Sequence, residues 1–531
     1  MSSRRLLQAT SPYAGRDIPM LLDARAIQRR DHTFLVWEPF GGETRSWSYG
    51  EFRHAVGCFA SGLAERGVTV GDSILIHLDN CPEALIAWHA CARLGAAAVT
   101  TNTRSSQAEL TYFAGHCRPK GVITQPVYRD LVVEACSDAD FICVTASDGA
   151  AESTDRTRLD HDLPFESLFS EFDAFQRPPP DPWRHLSVQY TSGTTARPKG
   201  VLWTHANALW GGQVSARHEG LTENDVHFVH LPLFHTNAQV YSALATLWAG
   251  ATLVLTPRFS ASRFWEVSVR NRCTWSSMIP FCTKALMEVP KPETHFYRMW
   301  SPAVVLPQVD EAFGVKTIGW WGMTETVTHG IVSDLRDPEP LRSIGRAAPG
   351  YEIAIVDDAG RPCRAGETGE LLVRGIQGLS LFEEYLHNPE ATAAAFNEEG
   401  FMITGDRVTI GDGGELYFAD RAKDMLKVGG ENVAASEVES VIATVPGVVE
   451  VAVVAKPHPM LDEVPAAFVI AASACDPDNL VTSIKRHCEQ ALADFKRPSD
   501  ILIVDELPRS TLEKINKAEL RKLLPESELS T

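Results

Sequence analysis

Ten consecutive residues, Thr191-Ser192-Gly193-Thr194-Thr195-Ala196-Arg197-Pro198-Lys199-Gly200, concentrate hydroxyls, two glycines and two cations. Such a loop can present backbone N–H groups, Ser/Thr hydroxyls and a lysine to a polyphosphate. It is not a Walker A loop, because Lys199 lies between Pro198 and Gly200 instead of between a glycine and a hydroxyl residue. On composition alone such a stretch is more often an ordinary surface turn. A second stretch is Trp320-Trp321-Gly322-Met323-Thr324-Glu325-Thr326. It follows an apolar run near Ile318, and Thr and Glu just past a strand end suit a contact with a phosphate and its metal.

The elements that must position these groups read as α/β. Leu186, Val188 and Tyr190 suggest a strand entering the first loop, and residues 202–210 are expected to be helical beyond it. Upstream, Phe52, Val56, Phe59, Ala60 and Leu63 recur at helical spacing, residues 72–78 and 121–124 read as strands, and residues 84–101 as a core helix entering a strand. This alternation predicts a parallel sheet with helices on its faces. Residues 147–185 are polar and proline-rich, a connection. Turns at Pro349-Gly350 and Gly366 frame short strands at 352–356 and 370–373, which predicts a small antiparallel β subdomain. Lys427-Val428-Gly429-Gly430-Glu431-Asn432 signals a tight turn. The helix carrying Val438, Val441, Ile442 and Val445 after it opens a separate small C-terminal α/β domain.

A chain of 531 residues exceeds a single core. A formal charge of −19 gives no footprint for nucleic acid or an anionic membrane, so an anionic ligand must be held locally. The eleven cysteines are scattered singly, with no C-x-x-C pair, which predicts reduced and mostly buried thiols. The N-terminus lacks a signal-type apolar core and residues 84–101 include His89 and Arg93, so the chain reads as cytoplasmic with no membrane insertion.

The two stretches occur in order with Thr404-Gly405-Asp406, Asp420-Arg421-Ala422-Lys423-Asp424 and Leu507-Pro508-Arg509-Ser510-Thr511-Leu512-Glu513-Lys514. This ordered set resembles the adenylate-forming superfamily of acyl-CoA synthetases, adenylation domains and luciferases, over residues 35–525. Within it, His77-Leu78-Asp79-Asn80-Cys81-Pro82-Glu83, the 191–200 loop and Gly429-Gly430-Glu431-Asn432 look most like crotonobetaine/carnitine–CoA ligases. The resemblance implies a large N-terminal domain, residues 1–422, with parallel α/β subdomains and a small β subdomain. A small mobile C-terminal α+β domain would span residues 423–531.

It also implies an AMP-forming acyl-CoA synthetase using ATP, Mg²⁺ and coenzyme A on a small-molecule carboxylic acid. The carboxylate would attack the α-phosphate of ATP to give acyl-AMP and pyrophosphate, and the CoA thiol would then displace AMP. By this resemblance Thr191, Ser192, Gly193, Thr194, Thr195 and Lys199 cover the β- and γ-phosphates. Thr324 contacts the α-phosphate and Glu325 helps hold Mg²⁺. Trp321 stands, with Gly322, where a stacking Tyr is usual. Asp406 takes the ribose hydroxyls, Arg421 supports ribose or phosphate, and Lys514 bridges substrate carboxylate and α-phosphate. His235 lines the acyl pocket, Lys423 is the hinge, and Gly429 and Gly430 line the pantetheine path. Thr236, Asn237, Gln239, Trp320 and Thr326 are candidate pocket residues whose mixed polar and aromatic character points to a small, branched, cyclic or polar acyl group. A homodimer is the family-level expectation.

Each role has a plainer competitor: Asp406 as a turn cap, His235 as a core histidine, Lys423 and Lys514 as surface lysines. The chain also departs from the pattern. Glu513 precedes Lys514 where Gly is usual, Ala196 replaces a common Gly, and residues 299–319 are short and lack the Gly-Gly turn that contacts adenine. Two alternatives therefore accompany the acid–CoA ligase. One is a stand-alone adenylation enzyme that loads a carrier protein. The other is a nucleotide-binding relative with weakened catalysis.

Overall fold

A computed structural model describes residues 11–146, 148–150, 158–191, 198–337, 339–421, 425–472, 475–508 and 515–524. The chain forms two compact units. The larger comprises Met1–Thr103, Phe113–Gln189 and Gly200–Asp420, the smaller Arg104–Tyr112, Tyr190–Lys199 and Arg421–Thr531.

The larger unit is built on two mostly parallel sheets and one antiparallel sheet. In the nine-stranded sheet, Thr33–Trp37, Thr252–Leu255, Val226–Val229, Trp275–Ser277, Met299–Ala303 and Lys316–Trp321 run parallel as neighbours in that order. The eight-stranded sheet has the order Glu384–Tyr385, Lys199–Thr204, His185–Thr191, Ala97–Thr100, Ser73–His77, Gly121–Thr124, Phe141–Val144, Leu163–Pro164. Its inner strands, such as Ala97–Thr100 and Gly121–Thr124, are buried on both faces, as parallel strands covered by helices must be. The expected small β subdomain is a four-stranded sheet, in which Glu352–Val356 and Thr368–Arg374 pair antiparallel.

The smaller unit contains a five-stranded sheet. Its long pair Val448–His458 and Asp462–Ala471 is flanked by the helices Ala435–Ile442 and Pro477–Ala491. Val438, Ile442 and Val445 are all buried in its core, as their spacing predicts.

One element departs from the sequence reading. Residues 199–204 form a strand, and the helix begins at His205. Val201, Leu202, Trp203 and Thr204 are buried on both faces between two neighbouring strands, so sheet pairing overrides the helical pattern. Thr204 then caps the helix reciprocally with Asn207, a start signal that lies three residues inside the expected helix. All eleven cysteines are free thiols, nine of them buried. No helix of the described residues is long and apolar enough to cross a membrane.

Arg93 explains why the apolar stretch 84–101 tolerates a charge. It sits at the end of the helix Pro82–Leu94 with its side chain only 2% exposed, held by Asp173 at 2.6 Å and Asp23 at 3.0 Å. Asp23 also accepts from Arg53 and Arg177, so one ion cluster ties the helices Ile18–Gln28, Tyr49–Glu65 and Pro82–Leu94 to the connection after residue 165. Burial pushes the Asp23 carboxyl up, but Arg93 and Arg53 outweigh it and hold it below its ordinary value. A depressed carboxylate contributes stability that is present above the ordinary carboxylate pKa and is lost as pH falls through the depressed one. Arg93→Met should therefore lower unfolding free energy by about 3–5 kcal/mol at pH 7 and flatten the acid limb of stability, measured by urea denaturation between pH 3 and 7.

Candidate active site

The hydroxyl-rich loop joins two neighbouring strands, leaving at Thr191 and returning at Lys199, both half-buried. Its start and end are therefore fixed side by side in the sheet. Ser192, Gly193, Thr194 and Thr195 lie outside the described residues, as do Lys423 and Lys514.

The second motif is described throughout. The strand Lys316–Trp321 ends, Gly322 and Met323 follow, and Thr324–Thr326 makes a single 3₁₀ turn. Gly322 is required by packing: a Cβ there would lie 2.5 Å from Tyr241 Oη and 2.9 Å from the Thr328 carbonyl. The next residue, Val327, has φ 64° and ψ −43°, and the Thr328 N–H donates to the Thr326 carbonyl at 2.6 Å. This is the rare, strained form of the γ-turn, here centred on a fully buried β-branched residue.

Three consecutive carbonyls of the motif are held from outside it. Trp203 Nε1 donates to the Thr324 carbonyl at 3.0 Å, the Phe382 N–H to that of Glu325 at 2.8 Å, and Tyr351 Oη to that of Thr326 at 2.7 Å. The Glu325 side chain, 4% exposed, accepts from Tyr385 Oη at 2.8 Å. Burial and that carboxylate push the Tyr385 phenol well above its ordinary value, so it stays a donor and aims one Glu325 oxygen. Sequence reasoning missed Trp203, Tyr351 and Tyr385. They lie between 25 and 121 residues from their partners and carry no local signal.

Trp321 and Asp406 come together: the indole N–H donates to Asp406 Oδ2 at 2.8 Å, and both residues are buried. Asp406 is the middle residue of the long strand Met402–Ile410. Gly330 lies against the Trp321 ring, where a Cβ would approach to 3.1 Å. The indole thus does something a stacking Tyr in the same place would do differently, because it fixes the carboxylate expected to meet ribose. Arg421 closes the strand Leu416–Arg421.

On the acyl side, His235 is half-buried and its carbonyl accepts from the Gln239 N–H at 3.0 Å. Residues Asn237–Leu244 form a π-helix, a form frequent at functional sites. Thr236 Oγ1 stands 3.2 Å from Thr324 Oγ1, joining the pocket candidates to the phosphate motif. Trp320 packs with Tyr241 and His329, ring centroids 4.2–5.4 Å apart. The Thr326 Oγ1 accepts from the Met323 N–H and donates to the Thr328 carbonyl, so it braces the motif. The short 299–319 segment becomes the strand Met299–Ala303, a seven-residue helix Pro307–Phe313 and the strand Lys316–Trp321. Ala303 takes φ 73°, so the turn keeps a left-handed residue without a glycine, at a cost of about 1–2 kcal/mol.

In the smaller unit Gly429 and Gly430 are the two turn residues between the strands Met425–Val428 and Glu431–Ala434, with φ 59° and 92°. A two-residue turn with both φ positive needs glycine on conformational grounds alone.

Trp321→Phe keeps an aromatic face and removes the donor to a buried carboxylate. It should lower stability by about 1–3 kcal/mol and raise the KM for ATP, whereas an indifferent stacking role would leave stability unchanged; thermal denaturation and steady-state kinetics read both.

A family model described as AMP-binding enzyme matches residues 22–386, and one described as AMP-binding enzyme C-terminal domain matches residues 437–514. Crotonobetaine/carnitine–CoA ligases of Escherichia coli O139:H28 and Shigella flexneri are 33% identical over 526 residues, 96% of this chain and 99% of theirs. Among solved structures, o-succinylbenzoate CoA synthetase from Bacillus subtilis, bound to a product analogue, matches with a TM-score of 0.80 at 26% identity, covering 94% of this chain and 98% of that one. ATP-bound MatB from Rhodopseudomonas palustris matches with a TM-score of 0.67 at 26% identity over 95% and 98%. With two family models in sequence order, relatives along nearly its whole length and the same two-domain architecture, the chain belongs to the AMP-binding, adenylate-forming enzyme family and is an acyl-CoA synthetase.

Proposed function

We propose that this enzyme joins a small carboxylic acid to coenzyme A in two half-reactions, adenylation and thioester formation. The observation that carries this reading is the braced Thr324–Glu325 turn at the end of a parallel strand, beside the Trp321–Asp406 pair. Adenylation must bring a carboxylate to a polyphosphate and stabilise the charge that builds on the α-phosphate, and preorganised donors suit that task because they need no reorganisation during the step. Thr324 would offer its hydroxyl to the α-phosphate and Asp406 would accept from the ribose hydroxyls. The 191–199 segment would cover the β- and γ-phosphates, with Lys199 as its cation. Lys514 would hold the two reacting anions together, and Arg421 would add charge beside them.

Glu325 fits a magnesium site. Mg²⁺ is usually held by one or two carboxylates plus substrate phosphates, so one carboxylate with an aimed oxygen suffices where no larger His/Cys/Asp/Glu group exists among the described residues. When bound, the ion would neutralise phosphate charge. For the second half-reaction the division at residues 422/423, with Lys423 as hinge, and the Gly429-Gly430 turn beside the pantetheine are carried over from the family. Reduced thiols throughout agree with a cytoplasmic enzyme.

The mixed polar and aromatic character of the pocket candidates suits a small, branched, cyclic or polar acyl group. Trp320 among them is held in place by Tyr241 and His329, with ring centroids 4.2–5.4 Å apart. Burial keeps His329 neutral, which disfavours it as a counter-ion for a second carboxylate. The curated relatives' names point to crotonobetaine and carnitine as acids to include first.

Pyrophosphate release across a panel of acids, with and without CoA and with mass spectrometry of products, tests the reading. One class of short, branched or cyclic acids should give an acyl-CoA; acyl-AMP without thioester would favour carrier loading instead. Lys514→Ala should cut adenylation by about two to three orders of magnitude and spare thioester formation from supplied acyl-AMP, and equal loss of both would remove the assigned role.

A further inference from the structure

Gln189, two residues before Thr191, carries no assigned role. It is 2% exposed on the strand His185–Thr191, and the π-helix places Thr236 and Gln239 on it. Its Nε2 donates to Gln239 Oε1, Thr236 Oγ1 donates to its Oε1 at 2.8 Å, and Thr236 Oγ1 lies 3.2 Å from Thr324 Oγ1. A row of four side chains therefore ends on the hydroxyl expected to meet the α-phosphate. Every member but Thr324 is buried.

Proton counting shows what the row decides. A hydroxyl has one proton. Thr236 Oγ1 is placed to donate either to Gln189 Oε1 or to Thr324 Oγ1, and its one proton serves only one of them at a time; when it goes to Gln189, Thr324 bonds Thr236 only by turning its own proton inward. When Thr324 turns that proton outward to an arriving phosphate, its oxygen is open to accept from Thr236, and that bond would strengthen it as a donor. Thr236 is then released from Gln189 Oε1 only if the Gln189 amide turns over and donates through Nε2. Gln239 must do the same in the opposite sense. Glutamine can do this by a half-turn about its last torsion, which is broad and two-fold, with almost no heavy-atom displacement. Gln239 also lines a cavity shared with Thr100 and His89, with room for about two waters. Thr100 Oγ1 and His89 Nδ1 have no hydrogen-bond partner among the described residues, so the inner end of the row is bordered by uncommitted polar groups and has space to turn.

We propose that Gln189, together with Gln239, is a positioning residue for adenylation: it sets, through Thr236, whether the Thr324 hydroxyl points its proton at the α-phosphate. The proposal rests on the reading of Thr324 given above. A role confined to folding would lower stability and both half-reactions alike, whereas this one acts on a single step.

The test is a double-mutant cycle on the full-length enzyme with Gln189→Met, Thr324→Val and the pair, repeated with Thr236→Val in place of Gln189→Met should that variant not fold. Pyrophosphate-release kcat, KM for ATP, thioester formation from supplied acyl-AMP and thermal stability are read for each. Gln189→Met should lower adenylation kcat about 10–100-fold with KM for ATP within about threefold and the thioester step unchanged, the usual size for a residue that orients another. In the Thr324→Val background the same substitution should add nothing, because its effect runs through that hydroxyl. Additive losses, or equal loss in both half-reactions, would overturn the positioning role while leaving Thr324 its contact. A Thr324→Val enzyme with undiminished adenylation would instead remove the reading of Thr324, and the proposal with it.

Discussion

The site depends on a backbone that is not free to move. Thr324, Glu325 and Thr326 each have their carbonyl taken by a donor from elsewhere in the sequence, and the chain leaves them through a strained turn at Val327. A β-branched residue in that conformation persists only where its surroundings over-determine it. Here they do: Val327 is fully buried, and a Cβ added to Gly211 would touch it at 3.0 Å. Strain at one residue is balanced by three hydrogen bonds and buried packing at its neighbours. The result is a backbone that presents the Thr324 and Glu325 side chains from fixed positions before any substrate arrives, which limits the reorganisation needed to stabilise developing charge.

The parallel sheets supply the frame for that rigidity. Lys316–Trp321 is a buried strand in a nine-stranded sheet, and the strand Val226–Val229, which leads towards His235, belongs to the same sheet. Parallel neighbours point the same way, so loops that follow them emerge on one side, where ligands of open α/β sheets are expected to bind. The Arg93 cluster acts at a different level. It fastens three helices around a buried guanidinium through Asp23, Arg53 and Asp173, so it serves the scaffold.

Features governed by local chemistry were legible in the sequence. The 121–124 strand, the Gly429-Gly430 turn and the helix carrying Val438 and Ile442 follow from glycine conformations and apolar spacing, and the motifs gave the family. What escaped depends on partners distant along the chain. Residues 199–204 are a strand because two other strands flank them, although their composition permits a helix. Tyr385 and Trp203 are ordinary aromatics until the fold sets them on Glu325 and Thr324. Sequence resemblance points to the ring face of Trp321, and its N–H to Asp406 is visible only in three dimensions. Thr326 is a pocket candidate by its neighbours in sequence, and only the fold shows its hydroxyl bonded within the turn.

Electrostatics narrows how this protein can hold an anion. Its formal charge is −19, so the far field repels a nucleotide. Histidines do not offset that. Burial pushes His77, His89, His227 and His230 down to about 3 and His218 to about 4, with His329 also well below its ordinary value. They are uncharged wherever the enzyme would work, and serve as packing groups that also carry polar atoms. Attraction must then come from groups that keep their charge or dipole regardless of pH: lysine and arginine side chains, backbone N–H groups and aligned hydroxyls. Of these, only a hydroxyl can be reversed between donor and acceptor, since one proton sits on an oxygen with two lone pairs. In such a site, the direction in which a buried hydroxyl row is ordered is part of the electrostatic design, beside its cations.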